Sequence, residues 1–414
     1  MLDINFIRNN VDSVRANCAR RRIIVDIDRI LTLDVSRREL IASLDSKRAE
    51  RNQTSKQKPS PEDIERMRAI GDVISRGENE LRLVEEEFTA LMLQVPNMTH
   101  SAVPDGGEED YRVLSASGDV PKFLFQPKDH EELFTALDLI DFERGAKVTG
   151  TKFFFVKNDL VRLNHALISY GIDIVAKHGY TLMETPDLAK DEISQGIGFS
   201  PRGPETQVYS IENSDLSLIG TAEITVGGYH AGEILDLSDG PKKYVALSHC
   251  FRTEGGAYGR TSKGLYRVHQ FTKLEMFVFC KQEDSEAMHK EILSIEEELV
   301  SGLKLPYRVI DIASGDLGGP AYRKYDIEAW MVMKGDYGEI TSASNCTDYQ
   351  SRRLGIRYRD ENGETKLTHT LNGTALNNVR WPLAIAENYQ NEDGSIEIPK
   401  ALQEYMNGQT QIKR

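Results

Sequence analysis

Residues 250–279 read CFRTEGGAYGRTSKGLYRVHQFTKLEMFVF and set arginine, lysine, glutamate and glycine between two strand-like flanks. Arg252 and Glu254 are two apart, the spacing that puts both on one face of a strand. Phe271, Lys273 and Glu275 share a face by the same rule. The loop from Gly255 to Gly264 carries Arg260 and Lys263, and its glycines let backbone come close to a polyphosphate. An arginine for a phosphate, an aromatic ring for a base and carboxylates for an amine would together hold an aminoacyl nucleotide. The same residues also fit a surface hairpin laced by cross-strand ion pairs.

The 414 residues are enough for two or three domains. Hydrophobic residues at 39% and charged residues at 28% describe a globular chain with a charged surface. The formal net charge of −14 excludes a uniformly basic nucleic-acid binder but leaves room for a local basic patch. Cys18, Cys250, Cys280 and Cys346 lie far apart, with no zinc spacing, and suit a reducing compartment. The N-terminus lacks a secretory pattern and no apolar run is long enough to span a bilayer, so a cytoplasmic protein without a membrane partner is expected. Neither GxGxxG nor GxxxxGK[ST] occurs.

The elements that must position these residues begin with two long helical patterns before residue 100. Ser36 and Glu39 have capping-box spacing and mark the start of the first, which runs to about Lys58 and is stopped by Pro59. Ser60-Pro61-Glu62-Asp63 restarts a helix. Its seam of Met67, Ile70, Ile74, Gly77, Leu81, Val84, Phe88 and Leu91 alternates steps of three and four, as in a coiled coil. Leu40 and Leu44 supply the partner seam, and Gly77 is expected to weaken it. The pattern predicts an antiparallel hairpin over about 36–94, projecting about 35–50 Å. Lys47, Arg48, Arg51, Lys56 and Lys58 give its first helix a basic strip, either a solvated face or a phosphate contact. The division is a helical N-terminal domain over 1–100, a linker and domain edge over 101–120, and a catalytic domain over 121–414. In the last, helical spacing over 159–178 accompanies strand-like segments at 206–211, 217–220, 243–254, 267–280, 307–312, 325–333 and 338–343. Turns between them predict an α+β fold with a largely antiparallel sheet.

Five ordered blocks carry a resemblance to class II aminoacyl-tRNA synthetases, and within them to the seryl-tRNA synthetase family. Phe251-Arg252-Thr253-Glu254 through Arg267-Val268-His269-Gln270-Phe271 resembles motif 2 of the class. Thr221-Ala222-Glu223 resembles the family's serine-binding segment. Glu339-Ile340-Thr341-Ser342, with Ser344-Asn345 and Asp348 to Arg353, resembles its nucleotide and metal strand. Asn372-Gly373-Thr374 with Arg380 and Glu387-Asn388-Tyr389-Gln390 resembles motif 3, and Pro186 sits where motif 1 has its interface proline. The N-terminal hairpin resembles the family's tRNA-binding arm.

The resemblance implies ATP-dependent attachment of L-serine to tRNASer through a seryl-adenylate, by a homodimer with Mg²⁺ and no structural zinc. It gives Arg252 the α-phosphate and the serine carboxylate. Phe271 takes one face of adenine, and Arg380 the other face or the γ-phosphate. Thr253, Glu254, Val268, Ile340 and Thr341 join the ATP site, and Glu339 and Ser342 hold Mg²⁺. Glu275 and Thr374 are the candidates for the serine hydroxyl, with Thr221, Ala222, Glu223 and Asn372 around the amine and carboxylate. The basic strip is assigned to tRNA. Motif 3 departs from bacterial relatives at Ala375, Val379, Trp381 and Pro382, which is either neighbouring compensation or a changed ATP or inhibitor pocket. A carrier-protein ligase would lack the arm and use zinc. A catalytically silent tRNA-binding paralogue should have lost Arg252, Glu275 or Arg380, and all three are present.

Overall fold

A computed structural model describes residues 1–54, 60–199, 208–254 and 264–414. The chain divides into two compact units, Met1–Met98 and Thr99–Arg414. The first contains α1 (Ile4–Asn9), α2 (Val11–Arg20), α3 (Ile27–Thr54) and α4 (Pro61–Gln94). Ile7, Val14, Ile27, Ile30, Met92 and Val95 form its buried base. The first long helix therefore starts nine residues before Ser36. Asp26 caps it by accepting the Arg29 amide at 2.8 Å, and Ile27, Ile30 and Leu33 extend the buried stripe backward. Ser36 lies in the helix interior, where a capping-box spacing has no free backbone amides to serve. Ser60 does cap α4: it accepts from the Asp63 amide while Asp63 reaches back, with Pro61 in the first turn. The predicted stop at Pro59 and the basic Lys56 and Lys58 lie outside the described residues.

α3 and α4 run antiparallel, as the pairs Arg29–Glu87, Arg48–Glu78 and Glu50–Arg66 require. Leu44 packs with Ile70 and Ile74, and Leu81 joins them. Gly77 is not a weak point. Leu44 lies directly over it, so that a Cβ there would come within 2.9 Å of Leu44 Cδ2. The missing side chain makes the hole that the leucine fills.

The second unit is built on an eight-stranded sheet. Its strands are β1 (Arg112–Ser117), β2 (Thr181–Glu184), β3 (Lys242–Phe251), β4 (Gln270–Cys280), β5 (Tyr307–Asp311), β6 (Arg323–Met331), β7 (Asp336–Thr347) and β8 (His369–Asn377). The order is β1-β5-β6-β7-β8-β4-β3-β2, antiparallel throughout except for the β2–β3 pair. Alternation fixes what each face meets. Leu274, Met276 and Val278 of β4 pack with Leu163 and Leu167 of α5 (Asn158–Lys177) and Ile292 and Ile295 of α7 (Ser285–Gly302). On the other face Phe277 and Phe279 pack with Ala222 and Val226 of α6 (Ala222–Gly228). Helix α8 (Arg380–Asn388) follows β8 directly.

Within the stretch 101–120, read as linker and domain edge, Arg112–Ser117 is the outermost strand and pairs with β5. Asn372-Gly373-Thr374, a triplet more common in turns, lies inside β8 between β7 and β4. Of the strand expected at 206–211, residues 206 and 207 lie outside the described residues. The remainder forms an isolated bridge, Ser210 to Ser217.

Candidate active site

β3, β4, β7, β8 and the start of α8 converge on a cavity of about 90 Å³ lined by Arg252, Glu254, Val268, Phe271, Glu339, Ser342, Thr374 and Arg380, with Tyr266, Arg267 and Lys273 among their neighbours. β3 ends at Phe251, so Arg252 and Glu254 do not share a strand face. Glu254 takes φ +47°, which turns the chain, and its carboxylate faces Arg267 at 3.4 Å. Arg252 is held where the strand stops. Its amide donates to His269 O at 2.9 Å, its Nε to Gly220 O at 3.2 Å, and its guanidinium lies 5.3 Å from the centre of the Phe271 ring. This fixes a cation and an aromatic face side by side. Thr253 is half-buried between Arg252 and Glu254. Arg260 and Lys263 lie outside the described residues.

Deeper in, Lys273 Nζ meets Glu275 Oε2 at 2.6 Å, with both side chains under a tenth exposed. Thr374 Oγ1 donates to the same oxygen at 3.2 Å. Register explains the meeting, because Thr374 of β8 is directly opposite Glu275 of β4. Glu223 enters from the first turn of α6, whose cap is the Thr221 hydroxyl accepting the Glu223 amide at 3.2 Å. Glu223 Oε1 accepts from Gln350 Nε2 at 2.7 Å and from Asn372 Nδ2 at 2.9 Å. Burial, then the charge of Glu275, lifts the Glu223 carboxyl to about 7, against the opposing pull of Gln350, Lys273 and Arg252. The Ala222 methyl is packed in the core with Val226, so only its backbone is available to a ligand.

On the other flank Glu339 Oε2 lies 3.2 Å from Arg380 Nη1, and the Arg380 guanidinium stacks 4.7 Å from the Tyr266 ring centre. Desolvation draws the Glu339 carboxyl upward, but Arg380 and then Lys324 outweigh it and hold it well below the usual carboxylate range. Ile340 and Thr341 are buried, and the Thr341 hydroxyl donates to Thr374 O. The motif 3 departures separate by position. Trp381 is fully buried in the core, and Pro382 falls in the first turn of α8, where a missing amide breaks no helical bond. Ala375 is buried as well. Only Val379 lines the cavity, and its φ is −122°, not the positive φ a β-branched residue disfavours.

Lys273, Tyr266, Arg267 and Gln350 are the parts of the site that motif reading passed over. Lys273 had a signal, its two-residue spacing from both Phe271 and Glu275. Gln350 had none beyond membership of the block from Asp348 to Arg353. In the first unit, Lys47 faces Glu50 at 3.0 Å and Arg48 faces Glu78 at 2.9 Å and Asp45 at 3.3 Å, while Arg51 is exposed. Glu78 of α4 and the α3 acids Asp45 and Glu50 thus answer part of the basic strip. Among the described residues no cluster of three or more His, Cys, Asp or Glu could hold a metal, and no helix is long and apolar enough to cross a membrane.

Residues 1–99 match the seryl-tRNA synthetase N-terminal domain family, and residues 207–389 the tRNA synthetase class II core domain (G, H, P, S and T). The serine–tRNA ligases of Rubrobacter xylanophilus and Treponema denticola are each 51% identical, with 98% of both chains covered. Seryl-tRNA synthetase from Pyrococcus horikoshii, solved with ATP, superposes with a TM-score of 0.89 at 37% identity, covering 100% of this chain and 99% of that one. The cytoplasmic serine–tRNA ligase of Naegleria fowleri, solved with AMP, gives 0.83 at 33% identity with the same coverage. With full-length relatives at half identity and the fold of the class around Arg252, Glu275 and Arg380, the chain belongs to the seryl-tRNA synthetase family.

Proposed function

We propose that the protein activates L-serine with ATP and transfers it to tRNASer. The observation that carries this is the meeting of Arg252, Phe271, Glu275, Thr374, Glu339 and Arg380, drawn from separate strands and a helix start, around one site. In the first step a serine carboxylate oxygen attacks the α-phosphorus of ATP and the bond to pyrophosphate breaks, leaving seryl-adenylate. In the second, a hydroxyl of the terminal adenosine of tRNA attacks the seryl carbonyl and AMP leaves. The chain's part is positioning and charge neutralisation. Arg252 faces the carboxylate and α-phosphate, Phe271 carries adenine, and Arg380 holds the far end of the nucleotide. Thr253, Glu254, Val268, Ile340 and Thr341 shape the nucleotide pocket. Glu275 and Thr374 read the serine hydroxyl, while Glu223 takes the ammonium with help from Thr221 and Asn372.

A Mg²⁺ ion travelling with ATP suits the donors on β7. Glu339 and Ser342 offer oxygen only, and Mg²⁺ keeps few protein ligands because phosphates and water supply the rest. The ion would neutralise phosphate charge there. The hairpin of α3 and α4, with Lys47, Arg48 and Arg51, is assigned to tRNA. A homodimer is the proposed assembly, supported by the outer strand β2 with Leu182 half exposed and Pro186 just beyond it. A cytoplasmic location accords with four buried cysteines that form no disulfide. The test is aminoacylation of tRNASer beside an Arg252→Ala control. Turnover should fall by about a thousandfold or more in that variant; wild-type turnover no better than the variant's would end this reading.

A further inference from the structure

Glu223 has one oxygen doubly occupied and the other open. Oε1 takes the Gln350 and Asn372 amides, and no hydrogen bond to Oε2 is present among the described residues. Gln350 is itself fully buried and fully committed. Its Nε2 donates to Ile197 O at 3.1 Å as well as to Glu223, and its Oε1 accepts from the Thr370 hydroxyl at 2.6 Å. Because a backbone carbonyl only accepts, the Ile197 contact fixes which end of the amide faces Glu223. Thr370 is buried too, so this three-point clamp is shielded from water.

We propose that Gln350 is a positioning residue for amino-acid selection: it fixes Glu223 so that Oε2 is presented, as an anion, to the substrate ammonium. This rests on the serine-activating function proposed above. The physical need is plain. A carboxylate buried beside Glu275 tends toward its neutral form, and a neutral Glu223 offers the ammonium no charge. The charged groups facing it are Glu275 and Lys273 of β4 and Arg252 beyond β3. Burial and Glu275 favour the neutral form, and the Gln350 donor works with Lys273 and Arg252 toward the anion. Asn372 sits on the ligand-facing strand, whereas Gln350 acts only from behind.

The test measures serine-dependent ATP–pyrophosphate exchange against pH for wild type, Gln350→Met and Thr370→Val. In Gln350→Met the KM for serine should rise by about tenfold or more, the scale of one hydrogen bond to a charged group. The KM for ATP should stay within about twofold. The acidic limb of kcat/KM for serine should move to higher pH, because a carboxyl without its donor ionises later. Thr370→Val, which frees the amide without emptying its place, should move both quantities in the same direction by less. Equal changes in the two KM values, or an unmoved acidic limb, overturns the proposal. Should Gln350→Met fail to fold, Thr370→Val decides alone by the same readouts. Absence of serine-dependent exchange in wild type would instead overturn the functional reading, so the two failures are distinct.

Discussion

Thr374 and Glu275 meet at 3.2 Å because register puts them opposite each other, and both are buried. A pocket with such a pair rejects a ligand that cannot complete its hydrogen bonds, since the buried oxygen is then left unpaired. Thr374→Val keeps the shape and removes the hydroxyl. It should lower kcat/KM for serine by about ten- to a hundredfold while changing alanine little. Pyrophosphate exchange with the two amino acids measures the ratio, and an unchanged ratio would remove Thr374 from hydroxyl recognition. Most of these residues were legible in the sequence because motif blocks keep their order. Gln350 was not, because its part depends on Ile197 and Thr370, which only the folded chain brings to it. Nor was the parting of Glu254 from the β3 face, since its positive φ is set by the turn that leads away from the strand.

The helix–sheet contact behind β8 carries a feature of a different kind. Glu296 of α7 is fully buried, and neither of its oxygens has a hydrogen-bond partner among the described residues. It faces Gly373, where an added Cβ would come within 2.8 Å of Oε1 and 2.3 Å of Ile292 Cγ2. A glycine between Asn372 and Thr374 lets α7 press against the strand that carries them. Burial raises the Glu296 carboxyl well above its ordinary 4.5 against the opposing pull of the nearby Thr341 hydroxyl, and Asp326, Glu275 and Glu339 add to the rise. The folded state therefore holds a proton that the unfolded chain releases above about pH 4.5. Stability is lost as pH climbs from there through the folded value, by up to about 1.4 kcal/mol per pH unit for this group. Glu296→Gln keeps the shape and abolishes the slope. Urea unfolding from pH 5 to 8 should show the variant gaining on wild type as pH rises; parallel curves would mean that Glu296 is ionised in the fold. Strands β3 to β7 were readable from the sequence, whereas β1 and β8 were not among the expected segments. The start of α3 was not readable, because a local capping signal at Ser36 competed with the longer-range burial of Ile27, Ile30 and Leu33.

Across the whole chain, a net charge of −14 coexists with a basic strip partly answered by Glu50 on its own helix and Glu78 on the facing one. A nucleic acid must therefore displace or share those partners, so the arm's contribution should depend on salt. Arg48→Glu with Arg51→Glu is expected to raise the KM for tRNASer by about tenfold or more and to leave serine-dependent pyrophosphate exchange within about twofold. Loss of both activities together would contradict a separate duty for the first unit. The broad division into a helical unit and a sheet-based unit was readable from periodicity, because long three–four spacing and short alternation are both local patterns. What periodicity misjudged was Gly77, whose meaning lies in Leu44 on the other helix. That contact makes the hairpin a ruler. Sliding α3 past α4 by one turn would set Leu44 against the side chain of Ile74 or Leu81 instead of an open notch, so the two helices have one seating. The register of the two helices is then graduated in steps of about 5.4 Å, one helical turn, with a single step allowed.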